Sequence, residues 1–163
     1  MARIAKRQDA VKVQRSQEHI SQAGEVLTSL IVPVIRLEAY FSRAGEIIGA
    51  AGGQTLARWL VLENVSDAPA TVAQIARGLG YTRQSVQRVA DLLERDGLTR
   101  YALNPAHKRS QLVRITSLGR KTLSTIQHAQ RAWADRVGSE IGEAELRQAS
   151  SLVDKLTRIL KAQ

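Results

Sequence analysis

The chain contains no cysteine, and that absence excludes disulfides, thiol-based redox sensing, iron–sulfur clusters and cysteine-ligated zinc. Aromatic residues make up only 4% of it, too few for the stacking platforms on which proteins hold single-stranded nucleic acid. No apolar run approaches the roughly 18 residues of a membrane span. The opening MARIAKRQDAVKVQRSQEH lacks the apolar centre of a secretory signal, so the expected location is the cytoplasm. Catalytic and metal chemistry also find little to stand on. His19, His107 and His128 show no ligand-like spacing. Gly52, Gly53, Gly78 and Gly80 form no phosphate-cradling loop followed by a GK[ST] motif. The neighbouring acids Asp91/Glu94 and Glu143/Glu145 read as helix-surface charges, and for Asp91 ion pairing with Arg88 and Arg95 along one helix is a sufficient explanation. We therefore expect no enzyme, no cofactor and no metal.

What is present is positive charge and helical periodicity. With 24 Lys and Arg against 15 Asp and Glu, the net charge of the 163 residues is +9, and nucleic acid is a better partner than membrane for such a balance. The excess lies in residues 53–116 and at both ends, and spares 21–52. The length corresponds to one domain with a sizeable core.

Four regions follow from the pattern. Residues 1–20 form a basic tail in which Arg3, Lys6, Arg7, Lys12 and Arg15 are available to phosphates, although keeping the protein soluble is the commoner role of such a tail. Residues 21–52 form a helical region with a broad apolar face, including Val26, Leu27, Leu30, Ile31, Val34, Ile35 and Phe41. Pro33 removes one backbone donor within it, which predicts either a kink or a break into two helices. Residues 53–116 begin with a helix over 55–65 that offers Leu56, Trp59, Leu60 and Leu62 to a core. Residues 117–163 contain a helix to about 137, broken by Gly138 and Ser139, and a last helix over 143–160.

Within the third region, TVAQIARGLGYTRQSVQRVADLLERD (71–96) holds two short amphipathic helices. Val72, Ile75, Ala76 and Leu79 recur at i, i+3, i+4 and i+7. Gly80 suits the left-handed end of the first helix, and Thr82 caps the second, which starts at Arg83. Val86, Val89, Ala90 and Leu93 keep that second helix amphipathic, leaving Arg83, Gln84, Gln87 and Arg88 on the outer face. Arg can pair with guanine and Gln can pair both ways with adenine in a major groove. A solvated polar face is the competing explanation. The following strands, 98–103 and 112–116, flank the basic turn NPAHKRS, and a helix-turn-helix followed by such a hairpin is a winged helix. The fold class expected is thus mostly α with a small β-hairpin wing, a winged helix-turn-helix with long flanking helices.

The pieces TLARWLVL, TVAQIARGLGYTRQSVQRVADLLERDGLTR and NPAHKRSQLVRITSLGRKTL, in that order and spacing, resemble the winged-helix regulators of the MarR (multiple antibiotic resistance regulator) family. The resemblance implies a homodimer joined through regions 21–52 and 117–163. It implies a regulator of double-stranded DNA, usually a repressor, reading a pseudo-palindrome with helix 82–96 and wing 103–112. By position it assigns Thr82, Arg83, Gln84, Ser85, Gln87 and Arg88 to the recognition helix, and His107, Lys108, Arg109 and Ser110 to the wing. Arg109 matches the arginine that enters the minor groove. Where the family commonly has an acid two residues earlier, this chain has His107; either Arg109 is held otherwise, or the wing is looser and more basic. By analogy alone, a small aromatic or phenolic effector would meet Arg36, Tyr40 and Trp59. The rival readings are an architectural DNA-coating protein with little sequence preference and a protein-interaction module.

Overall fold

The computed structural model describes residues 20–107 and 109–163. The chain divides into two compact units, Met1–Glu38 and Ala39–Gln163. The expected basic tail lies, up to residue 19, outside the described residues.

Helix α1 (Gln22–Ala50) runs through Pro33 without interruption. Of the two outcomes anticipated for Pro33, the break into two helices does not occur. Proline deletes one rung of the hydrogen-bond ladder, and in a helix of 29 residues the rungs on either side keep the segment helical. In the first unit the apolar residues of α1, Val26, Leu27, Leu30, Ile31, Val34, Ile35 and Leu37, are exposed.

The second unit takes up the end of α1 and continues through α2 (Leu56–Asn64), β1 (Ala70–Thr71), α3 (Val72–Leu79), α4 (Arg83–Arg95), β2 (Thr99–Ala102), β3 (Leu112–Ile115), α5 (Ser117–Ile141) and α6 (Glu143–Lys161). Its core gathers Val61, Leu62 and Val65 with Ile75 of α3, Val86, Ala90 and Leu93 of α4, Val113 of β3, and Leu123 and Ile126 of α5. The helical residues among these are the positions that the 3.6-residue periodicity turns to one side of each helix. Ile48, near the end of α1, joins the same core.

The three strands form an antiparallel sheet in the order β1-β3-β2. Thr99 pairs with Ile115 and Ala102 with Leu112 across the hairpin, while Thr71 and Ala70 pair with Leu112 and Val113 on the other edge. The hairpin strands are a residue or two shorter than predicted, and β1 was not anticipated at all.

Helix starts follow the side-chain capping rule. Thr55, Thr71, Thr82 and Thr116 each accept a backbone N–H of the following turn. At α3 Thr71 and Gln74 form a reciprocal capping box. Thr116 also ties the hairpin to the end of α4. Its hydroxyl donates to the carbonyls of Gly97 and Leu98 at 2.7 and 3.1 Å.

The end of α5 also differs from the prediction. Helix α5 continues through Gly138 and Ser139 and stops only at Gly142. A glycine inside a helix costs about 1 kcal/mol relative to alanine, too little to end a helix supported by packing. Gly138 keeps its place in the ladder, its carbonyl accepting the Gly142 N–H at 2.9 Å. At Gly142, φ is 99°, a conformation that a side chain rarely allows, and there the chain turns into α6. Leu152, Val153, Ile159 and Leu160 on α6 are exposed. Among the described residues, no helix is long and apolar enough to cross a membrane.

Candidate nucleic-acid interface

The turn between α3 and α4 depends on one backbone conformation. Gly80 adopts φ 70°, and the Tyr81 N–H reaches back to the Ala76 carbonyl at 3.0 Å, closing α3 in the left-handed manner typical of glycine. Thr82 then starts α4. Its hydroxyl accepts the Ser85 N–H at 3.1 Å and donates to the Ser85 hydroxyl at the same distance, which in turn donates to the Thr82 carbonyl at 2.9 Å. Thr82 and Ser85 are therefore engaged in building the helix start.

Val86, Ala90 and Leu93 anchor α4 in the core. The opposite face carries Arg83, Gln84, Gln87 and Arg88, all exposed. The side chains of Arg83, Gln84 and Arg88 hold no hydrogen bond or ion pair with another described residue. Gln87 differs. Its amide nitrogen donates to Asp91 Oδ1 at 2.7 Å and to the Tyr101 hydroxyl at 2.6 Å. The Tyr101 hydroxyl donates to the same Asp91 oxygen at 2.6 Å. Burial, reinforced by the hydrogen bond to Asp91 and by the charges of Asp91 and Glu94, pushes the Tyr101 phenol well above its usual value of 10, against a smaller opposing effect of the Gln87 hydrogen bond. Asp91 is thus committed to Gln87 and Tyr101. The ion pairs with Arg88 and Arg95 expected from helical spacing are not among those formed by the described residues. The signal missed was the hairpin, which brings Tyr101 of β2 over the second turn of α4.

The wing turn is held from within. Asn104 Oδ1 accepts the Ala106 N–H at 3.1 Å, its amide donates to the Ser110 hydroxyl at 3.4 Å, and the Ser110 N–H donates to the His107 carbonyl at 3.0 Å. His107 and Arg109 are exposed, and neither side chain bonds another described residue. The turn is thus braced through Asn104 and Ser110, while no described side chain holds Arg109. Lys108 lies outside the described residues.

An open cleft of about 460 Å³ lies between helix and wing, and Arg83, Gln84, Gln87, Tyr101, Arg109 and Ser110 are among the residues that line it. Residues from the two predicted groups, recognition helix and wing, therefore meet on one basic surface. Three further residues were assigned to an effector pocket. Trp59 is enclosed in the core at 7% exposure, where its indole N–H donates to Glu63 at 3.2 Å. Tyr40 is exposed, and so is Arg36, which belongs to the first unit.

A three-stranded sheet whose hairpin projects beside the outer face of a helix-turn-helix defines a winged helix-turn-helix protein. The sequence model of the MarR family matches residues 53–110. By that match the winged-helix segment of the chain belongs to the MarR family of transcription regulators. It is 36% identical over 140 residues to an uncharacterised protein of Mycobacterium bovis, covering 86% of this chain and 98% of that one. Two solved structures share the fold. The Mycobacterium tuberculosis regulator MosR in complex with DNA is 20% identical, covers 79% of this chain and 96% of its own, and has a TM-score of 0.64. Staphylococcus aureus MarR in complex with salicylate and kanamycin is 13% identical, covers 85% and 95%, and has a TM-score of 0.74.

Proposed function

We propose that this protein acts as a homodimeric, sequence-specific DNA-binding repressor in the cytoplasm. Each protomer would insert α4 into a major groove, two half-sites about 34 Å apart forming a pseudo-palindrome. The observation that carries this reading is the cleft in which Arg83, Gln84 and Gln87 of α4 meet Arg109 of the wing. Arg and Gln there are the residue types suited to base edges, and an unheld wing arginine is free to follow phosphates or a narrow minor groove. The DNA-bound state of MosR, which shares the fold, supports it.

Homodimerisation is supported by apolar faces that the described residues leave open, on α1 from Val26 to Leu37 and on α6 at Leu152, Val153, Ile159 and Leu160. Faces of this extent on a water-exposed protein favour association. In this reading regions 21–52 and 117–163 make the dimer and 53–116 binds DNA. A small aromatic or phenolic effector would relieve repression. The salicylate bound to Staphylococcus aureus MarR supports that class of ligand.

The exposed, unheld Arg109 and the net charge of +9 also favour a second reading, an architectural protein that grips phosphates with little preference for sequence. Selection of bound fragments from random duplexes at physiological salt decides between the two. An inverted repeat, preferred over bulk DNA by about 10³-fold or more, is the result expected of the regulator. Recovery of unenriched DNA would transfer the assignment to the architectural protein.

A further inference from the structure

Gln87 stands apart from the other outward residues of α4 because its hydrogen-bonding capacity is already divided inside the molecule. A side-chain amide has two N–H donors on nitrogen and an acceptor oxygen. The nitrogen serves two acceptors, Asp91 Oδ1 at 2.7 Å and the Tyr101 hydroxyl at 2.6 Å; because these lie only 2.6 Å from each other, serving both takes one N–H each in bent hydrogen bonds. The orientation of the amide is dictated by chemistry. An ionised carboxylate only accepts, so the nitrogen and not the oxygen must face Asp91. Tyr101 spends its own proton on Asp91 and thereby turns a lone pair toward Gln87. The elevated proton affinity of that phenol keeps it a donor to Asp91 at any ordinary pH. The three groups form a closed ring of donors and acceptors, and of the Gln87 amide only the oxygen remains free.

Resting on the DNA-reading function proposed above, we infer that Gln87 contacts base edges as an acceptor only, with Asp91 and Tyr101 as its positioning residues. A glutamine free to rotate favours adenine, accepting from N6 and donating to N7 together. A glutamine whose nitrogen is withheld recognises any base with an exocyclic amino group in the major groove, adenine through N6 or cytosine through N4, and opposes the O6 of guanine and the O4 of thymine. Each base pair carries one such amino group, on one side or the other. The signature is therefore a two-fold degenerate position in each half-site. Read on the contacted strand, adenine and cytosine are accepted about equally, whereas guanine and thymine are disfavoured by about tenfold.

The test is selection from random duplexes with the full chain and three variants. Gln87→Ala locates the position by flattening its base preference. Asp91→Ala combined with Tyr101→Phe releases both amide hydrogens, and at that same position adenine should rise over cytosine by about tenfold as the two-sided pairing becomes possible. If the double variant fails to fold, Tyr101→Phe alone keeps the aromatic side chain, removes the hydroxyl, frees one amide hydrogen and must move the preference in the same direction. A wild-type position that accepts adenine alone or sorts purines from pyrimidines, no position flattened by Gln87→Ala, or an adenine-to-cytosine balance untouched by the release variants would each overturn the inference while leaving the regulator intact. Failure of the wild type to enrich any sequence would instead remove the regulator reading, and this inference with it.

Discussion

Two glycines of the same helix should respond in opposite directions to the same substitution. A methyl group placed on Gly119, in the first turn of α5, would lie 2.1 Å from the Leu98 carbonyl oxygen and 2.8 Å from Ile115 Cγ1. Ordinary contact begins near 3.4 Å, so something must move by more than an ångström. The carbonyl is poorly placed to do so. It accepts the Thr116 N–H at 3.0 Å and the Thr116 hydroxyl at 3.1 Å, and Leu98 is buried. Overpacking of this kind costs about 1–3 kcal/mol, and disturbance of the Thr116 cap adds about 1 kcal/mol. Replacing a helical glycine returns about 1 kcal/mol. The net expectation for Gly119→Ala is a loss of about 2 kcal/mol. At Gly138 the added carbon would meet only Leu146 Cδ1 at 3.8 Å, an ordinary contact, so Gly138→Ala keeps the helical gain and should stabilise by about 0.5–1 kcal/mol. Urea unfolding followed by far-UV circular dichroism, at one fixed protein concentration because the proposed dimer makes stability depend on it, reads both. With a slope of about 2 kcal/mol per molar urea, the two midpoints should lie more than about 1 M apart, on opposite sides of the parent. A Gly119→Ala midpoint at or above that of the parent would refute the packing argument.

Further outcomes are expected of single substitutions. Thr82→Ala removes the acceptor for the Ser85 N–H and should cost about 1 kcal/mol of stability, read by the same titration; no loss would mean that α4 starts without its cap. The folded-state proton affinity of Tyr101 is raised, so the stability linked to it is complete below pH 10 and is lost as pH rises further. Tyr101→Phe should abolish this part of the alkaline decline, and an unchanged profile would deny the phenol its role. Val153→Asp puts a charge on the open apolar face of α6 and should shift sedimentation from dimer toward monomer, whereas an unaffected dimer would move the interface elsewhere. Arg88→Ala should weaken binding to the selected site more than to scrambled duplex, and Lys108→Ala should weaken both alike. Equal losses across both duplexes for the two variants would remove Arg88 from base reading.

The helix-turn-helix was legible because its determinants are local. Val72, Ile75, Ala76 and Leu79 mark one face within eight residues, Gly80 permits the left-handed turn, and Thr82 caps the next helix within three residues of its own position. The break before α6 was not legible. Gly138 and Gly142 look alike as letters, and only the backbone distinguishes a glycine retained in the helical ladder from one at φ 99°. Strand β1 escaped for another reason. It is two residues long, and a pair of residues cannot display a period; its pairing with β3 exists only once the hairpin has formed.

The same distinction separates the two levels at which the interface could be read. Exposure of Arg83, Gln84, Gln87 and Arg88 follows from helical spacing, because burying Val86, Ala90 and Leu93 leaves them no other face. Their hydrogen-bonding state does not follow. Local spacing offered Asp91 the cations Arg88 and Arg95 at three and four residues, yet the bonds it accepts come from Gln87 on its own helix and from Tyr101, ten residues on across the wing strand. A short-range ion pair on an exposed helix is worth only a few tenths of a kcal/mol. The Gln87–Asp91 pair on the same helix is worth about as little, so the balance is set by the half-buried Tyr101 hydroxyl, whose charge-assisted bond to Asp91 gives a partly buried donor its acceptor. The tertiary arrangement therefore outcompetes the local one. Residue type specifies which hydrogen bonds Gln87 is able to make, and the folded hairpin specifies which of them remain available to DNA.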